Sequence, residues 1–290
     1  MSYDIYTGLL KSFKLPSTKS ELQALSATTK PVLFSEDSNH PRLAELKALY
    51  PIESIAGSGN DFSKATNLLS WVSGNIYHMA NYNGQVPANA IDLLNHSFGK
   101  SSEYGINCVM LSIILTECLL SIGLKARTVF IMPCSPYDGD NHVVTHVYVR
   151  ELSKWVMLDP TLNAYLTNSK GVALSLLELR HHLANQEPVF FNKDAKYNDD
   201  TWTDEAAKEN IAYFAKNLFH FKMCETSTSG DSNISNRYIS LAPSGYNPKD
   251  TMITNANYRI KIYGDSPQMQ GMLEWAKNEE YHFCTTVEFE

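Results

Sequence analysis

This 290-residue chain is poor in cysteine, and the five it has (Cys108, Cys118, Cys134, Cys224 and Cys284) are odd in number, widely spread and without a Cys-x-x-Cys pair. That pattern excludes a disulfide framework and offers no zinc or dithiol redox motif, so reduced thiols are expected. No Lys/Arg run occurs, and the formal net charge is −7. A nucleic-acid groove or a docking face for anionic membranes needs the opposite balance, whereas an amine-bearing partner is compatible. No stretch approaches the roughly 18 uninterrupted apolar residues of a membrane span. The opening, MSYDIYTGLLKSFKLPSTKSE, lacks the basic segment and apolar core of a secretory signal, which makes a cytoplasmic location the expectation. Internal repeats and low-complexity tracts are missing too.

What the chain does have is enough apolar material, 43%, to bury a substantial core in one large domain or one plus an appendage. The first sixty residues read as short helices around turns. Asn60 or Asp61 then caps an amphipathic helix with Phe62, Ala65, Leu68, Leu69, Val72, Ile76 and Met79 on its apolar face. A short helix over residues 88–94 leads to the turn FGKSSEYG. From Asn107 onward the apolar residues Val109, Met110, Leu111, Ile113, Ile114, Leu115, Leu119, Leu120 and Ile122 cover nearly every side. Such a helix must be wrapped by other elements until Gly123 ends it.

Three β-rich runs follow, KARTVFIM, VVTHVYVR and KWVMLD, and they predict a small antiparallel sheet. Ser175 caps SLLELRHHL, and Thr203 opens a helix with the stripe Ala207, Ile211, Phe214, Leu218 and Phe221. His181 and His182 read as a solvated face of the first of these helices. ETSTSGDSNISN, residues 225–236, is the most linker-like segment. After it come strands RYISLA and YRIKIYG, a helix capped by Ser266 with Pro267 at its first position, and a last strand, HFCTTVEF.

The chemistry centres on GINCVMLSIILTECLLSIG, residues 105–123. A cysteine in the first turn of a helix sits among unpaired backbone N–H groups at the positive dipole end, which favours the nucleophilic thiolate. Cys108 has that position. Cys118 lies roughly 80° round the helical wheel and about 15 Å further along, where a thiol is a small hydrophobe. A nucleophilic thiol needs a base and a group that orients the base. In THVYVRELSKWVMLDPT, a hairpin turning between Leu152 and Ser153 pairs Arg150 with Trp155, Tyr148 with Met157 and His146 with Asp159. Val147, Val149, Val156 and Leu158 then share the other, apolar face. In this register the Asp159 carboxylate fixes the His146 tautomer and leaves the second nitrogen for the thiol.

A metal reading of His142 and His146 fails because HVVTHVYV is a strand pattern, and four residues at about 3.3 Å each separate the rings by roughly 13 Å. His142 is read as a loop or rim residue. Asn107 reads as the helix cap, and Tyr104 as a residue that could shape the pocket.

The pieces YGINCVML, GLKARTVF, THVYV and WVMLDPT together resemble the transglutaminase-like superfamily over roughly residues 60 to 185. The family core has Gly-x-Cys at the start of a buried helix, then a strand with His, then a strand ending in Asp-Pro. This chain departs from it by one extra residue, Asn107, before the cysteine, and by Tyr148 where an aromatic, often Trp, follows the histidine. Papain-like proteases place His about 130 or more residues after Cys, much further than His146 lies from Cys108, and use Asn as the third member.

The resemblance implies an α+β fold with a transglutaminase-like (papain-like) core: a central buried helix on a small antiparallel sheet, an N-terminal helical segment (1–59), a catalytic core (60–190) and a C-terminal extension or subdomain (191–290). It implies the nucleophile Cys108, the base His146 and the orienting Asp159. Covalent acyl chemistry without cofactor or metal is expected. The acyl donor is a peptide, an amide or a carrier-bound thioester, and the acceptor an amine, or water in a peptidase or amidase. A non-catalytic binding module on the same fold is the remaining reading.

Overall fold

A helix that is apolar on every side has to be covered on every side. The computed structural model, which describes residues 3–23, 34–230 and 237–290, shows how. Helices α1 (Tyr3–Ser12), α2 (Pro41–Leu49), α3 (Asp61–Asn75) and α4 (Ala90–Ser97) precede the central α5 (Cys108–Ser121). Helix α5 is buried without interruption from Leu111 to Ser121. Helices α2, α3 and α4 pack on it from one side and a sheet from the other.

The sheet has six strands: β1 (Ala126–Met132), β2 (His142–Val149), β3 (Lys154–Leu158), β4 (His220–Cys224), β5 (Arg237–Leu241) and β6 (Glu280–Phe283). Their order is β6-β5-β4-β1-β2-β3, antiparallel except for the β5/β6 pair. One face meets α5 through Val147, Val149, Val156 and Leu158. The opposite face, with Val129, Val144, Met157 and Phe221, is covered by α6 (Leu176–Ala184) and α7 (Asp204–Asn217), against which α1 packs. Helices α8 (Pro248–Tyr263) and α9 (Pro267–Asn278) pack on each other. The architecture is α+β, and its sheet is extended by three strands from beyond residue 190.

Apolar packing is non-directional and leaves a helix free to slide along its axis, so the few polar links across the α5/sheet interface matter. The Ser112 hydroxyl donates to the Val143 carbonyl at 3.0 Å, and the Thr145 hydroxyl donates to the Ser112 carbonyl at 3.1 Å. Thr116 bonds Thr128 and Thr145 at 3.1 and 3.3 Å. Cys108 sits one turn before Ser112 on the same helix face, so the bond to Val143 sets the thiol at the level of the neighbouring strand residue, His142.

The β2/β3 register differs from the sequence expectation. The strands pair Val149 with Lys154, Tyr148 with Trp155 and His146 with Met157, a shift of two residues from a hairpin that pairs His146 with Asp159. The loop is a single 3-10 turn, Arg150–Leu152, closed by Ser153 in the left-handed region at φ 52°. Arg150 is clamped to Asp61 by two bonds of 2.5 and 2.6 Å, and Glu151 accepts from the Phe62 backbone at 2.8 Å. Helix α3 therefore holds the turn one position earlier. A shift of two preserves the alternation of faces, which is why the apolar pattern alone could not reveal it.

Three more expectations are corrected. Met79 lies past the end of α3, in extended chain. YRIKIYG belongs to helix α8, because Asn247 caps the helix, Pro248 occupies its first position and nothing breaks it before Gly264. HFCTTVEF divides: β6 stops at Phe283, and a Thr285/Glu288 capping box starts the helical turn Thr286–Phe289. Of the linker-like segment, residues 231–236 lie outside the described residues. Among the described residues no helix is long and apolar enough to cross a membrane.

Replacing Ser112 with Ala orphans the Val143 carbonyl in a dry interface. A loss of about 1 kcal/mol, read as a lower urea midpoint with unchanged slope, is the expected outcome.

Candidate active site

Asn107 caps α5, its side chain accepting from Met110 N at 3.2 Å while its carbonyl takes Leu111 N at 3.0 Å. The amides of Cys108 and Val109 remain as the unspent donors of the first turn. Cys108 is half-buried there, and its thiol lies within hydrogen-bonding range of two imidazoles, His142 and His78.

His142 is the first residue of β2 and only 5% exposed. Its Nε2–H donates to Asp159 Oδ2 at 2.7 Å, which leaves Nδ1 for the thiol. Asp159, fully buried, is held just past β3: its backbone N–H donates to the Ala164 carbonyl at 2.7 Å, and its Oδ1 accepts from Thr161 N at 2.9 Å. The rings of Tyr213 and Phe214 wall His142 at 5.5 and 5.9 Å, edge-on. The Tyr213 hydroxyl donates to Asp140 and to the Asn141 carbonyl, each at 3.1 Å, securing the loop before β2.

His146, the residue the sequence offers as base, does not meet Cys108. It lies on the sheet face turned away from α5, stacked on Trp155 at 5.2 Å and tilted against Phe289. Its Nδ1 accepts from the buried Arg127 guanidinium at 3.1 Å, and Arg127 also donates to the Phe289 carbonyl. Burial, then the Arg127 charge, drives the His146 pKa well below the ordinary value. It is a neutral core histidine. The face carrying Thr145, Val147 and Val149 turns to α5, so a mid-strand histidine on the other face does not reach the helix. His142, the first residue of its strand, does reach the thiol.

Residues 51–160 match the family model described as the transglutaminase-like superfamily. The matched stretch runs from the short helix Ile52–Ala56 before α3 to the residue after Asp159, and so contains Cys108, His142, His146 and Asp159. A solved structure of a candidate cysteine protease from Cytophaga hutchinsonii aligns over 67% of each chain at 16% identity, with a TM-score of 0.34. No curated protein matches the chain.

Within the matched stretch the charges form a series. Burial raises the thiol pKa of Cys108, but hydrogen bonds from His142 and then His78, together with their charges, outweigh it and bring it down to about 6. Burial lowers the His142 pKa, but the charge and hydrogen bond of Asp159 and the contact with Cys108 raise it to about 10. Thiolate and imidazolium are thus the resting pair. Cys118, fully buried, is pushed the other way. Tyr104 packs edge-on against His96 under Lys100 and is exposed. His182, partly buried on α6, pairs with Glu187 beyond the helix end at 2.8 Å.

His78 was not singled out by any sequence pattern. The one local hint is Gly105, where an added Cβ would lie 2.9 Å from the Met79 Cβ and 3.0 Å from the Tyr77 carbonyl. Only glycine lets the chain at 77–79 run that close to the entry of α5.

Alkylation of Cys108 by iodoacetamide should titrate with a midpoint near pH 6. His142→Ala should move that midpoint up toward that of a free thiol, about 8.5. His146→Leu should leave it in place while costing about 1–3 kcal/mol of stability through the unpaired Arg127.

Proposed function

We propose that the protein is a thiol acyltransferase in which Cys108 is the nucleophile, His142 the acid and base, and Asp159 the group that orients His142. The thiolate attacks the carbonyl carbon of an amide or thioester donor, and the C=O electron pair moves onto oxygen. Collapse breaks the bond to the leaving nitrogen or sulfur, which takes the proton from His142. An acceptor amine then attacks the thioester at Cys108, neutral His142 takes the amine proton, and the thiolate leaves with the amide formed. The single observation that carries this reading is the Cys108 thiol at a helix start, facing an imidazole whose other nitrogen is held 2.7 Å from a fully buried carboxylate. The family match over residues 51–160 supports a cysteine enzyme in general.

A cavity of about 820 Å³ lies beside the loops that flank His78 and His142, with Cys108 and both histidines outside its lining, and donor binding there is part of the proposal. Its wall includes Ala80, two residues after His78, and Asp140, two before His142, with Tyr137, Asn255, Tyr258 and Arg259 opposite. Helix α8 is tied to the loop before His142 by Asn255 Nδ2 to the Pro136 carbonyl at 2.7 Å and Arg259 to the Gly139 carbonyl at 2.9 Å.

Intact-mass analysis after incubation with a panel of peptide amides and acyl thioesters should show an acyl adduct on the wild type and none on Cys108→Ala. With a competing amine the amide product should dominate. Release of free acid alone would replace the transferase by a peptidase or amidase. No adduct with any donor, together with ordinary thiol reactivity, would leave a binding module.

The pH profile of kcat/KM should be a bell. Its acid limb near 6 is the loss of thiolate, and its alkaline limb near 10 is the loss of the imidazolium proton, the two limbs belonging to the coupled pair. Tyr258→Ala should raise KM about tenfold, equivalent to about 1.4 kcal/mol of lost contact, with kcat little changed.

A further inference from the structure

Two imidazoles reach the Cys108 thiol, and the acyl-transfer scheme uses only one. His78 lies in a short extended segment that runs parallel to the chain entering α5. Met79 N donates to the Ile106 carbonyl at 2.9 Å, and Ile106 N to the Tyr77 carbonyl at 3.0 Å. The close approach needs Gly105, as its missing Cβ shows. This backbone ladder places the His78 side chain beside the first turn of α5, where the Cys108 and Val109 amides point.

A second set of bonds comes from far along the chain. Asn198, in the left-handed region at φ 49°, clasps the His78 backbone from both sides: its Oδ1 accepts from His78 N at 2.8 Å and its Nδ2 donates to the His78 carbonyl at 3.2 Å. The neighbouring Tyr197 hydroxyl lies 3.0 Å from His78 Nδ1, with the rings edge-on at 5.5 Å. Asp199 accepts from the Tyr77 hydroxyl at 2.5 Å. Residues 197–199 thus form a strap across the 77–79 segment, fixing both its backbone and its ring.

The ring's two nitrogens are thereby assigned. Nδ1 is occupied by Tyr197, so Nε2 is the nitrogen left to face the thiol. A phenol is a better donor than acceptor, and burial raises the Tyr197 pKa, keeping its proton in place. With the Tyr197 hydroxyl donating to Nδ1, a neutral His78 carries its proton on Nε2. An N–H fixed in this way beside a nucleophile is a preorganised donor for an oxygen that gains charge during attack.

We infer that His78 is a second catalytic histidine, an electrophilic donor through Nε2–H to the oxyanion formed when Cys108 attacks its acyl donor, with Tyr197 and Asn198 as positioning residues that fix its tautomer and place. The inference rests on the acyl-transfer reading of the site. His142 and His78 then divide the work by their partners: a carboxylate makes the first an acid and base, and a phenol on Nδ1 leaves the second's Nε2–H for the oxyanion.

The test compares single-turnover acylation by a thioester donor with alkylation by iodoacetamide, a displacement that builds no oxyanion. His78→Ala should slow acylation about 100-fold and alkylation less than about threefold, each measured above the variant's own thiol midpoint so that the His78 contribution to the thiolate does not enter. His78→Gln, whose amide nitrogen reaches a similar point, should recover about tenfold of that loss. Tyr197→Phe should slow acylation about tenfold without changing alkylation. In the wild type, ¹⁵N resonances of His78 should report a protonated Nε2.

Equal losses in the two reactions, or a Gln variant no better than Ala, would overturn the donor role. An Nε2 without its proton would overturn it as well, and a fully active Tyr197→Phe would overturn the strap's part. If His78→Ala does not fold, the Gln and Phe variants and the NMR carry the test. A wild type that acylates while His78→Ala acylates equally fast sinks this inference alone; a wild type that never acylates sinks the acyl-transfer reading with it.

Discussion

The hydrogen bond from His142 to Asp159 is the interaction on which the site depends. A carboxylate with no exposure at all carries a desolvation cost of several kcal/mol unless a charge and hydrogen bonds compensate it. Thr161 N–H and the His142 ring supply them, and the imidazolium that results is what favours a thiolate at Cys108. Charge therefore propagates from buried acid to half-buried thiol through one ring. The series works only if strand end, hairpin and helix start are held to within hydrogen-bond tolerance, and each holding element is a polar contact in an otherwise apolar setting.

Those contacts divide between the two faces of the sheet. On the α5 face, Ser112, Thr116, Thr128 and Thr145 fix the height of the helix. On the far face, the aromatic layer that includes Trp155, Tyr213, Phe214 and Phe289 encloses His142 from one end and His146 with Arg127 from the other. Arg127 is buried without a carboxylate partner in its salt-bridge range among the described residues, and its charge is met by the faces of Phe34, Trp155 and Phe289. The neutral His146 is part of that enclosure, which explains why a histidine sits in the middle of a core strand.

The segment matching the family ends at residue 160, yet the later chain is structurally continuous with it. Strands β4 and β5 continue the sheet, Tyr213 walls His142, the strap at 197–199 grips His78, and α8 is bonded to the loop that leads into His142. A site assembled from such distant pieces is held rigidly without any covalent link.

Read by itself, the sequence determined the elements whose signals are local. The all-apolar stretch after Asn107 dictated a wrapped central helix with a thiol at its start. The caps at Asn107, Ser175, Thr203 and Ser266 set helix starts that the fold shares, and WVMLDPT marked a carboxylate at a strand end. The alternation of HVVTHVYV told the two faces apart. Only the tertiary structure decided which histidine the Asp159 carboxylate holds, because a two-residue shift in a hairpin leaves that alternation unchanged and the shift was set by a clamp to α3 far away in sequence. It alone decided the role of His78, since the bonds that place it come from Ile106 and Asn198, and no periodicity within one segment records a partner in another.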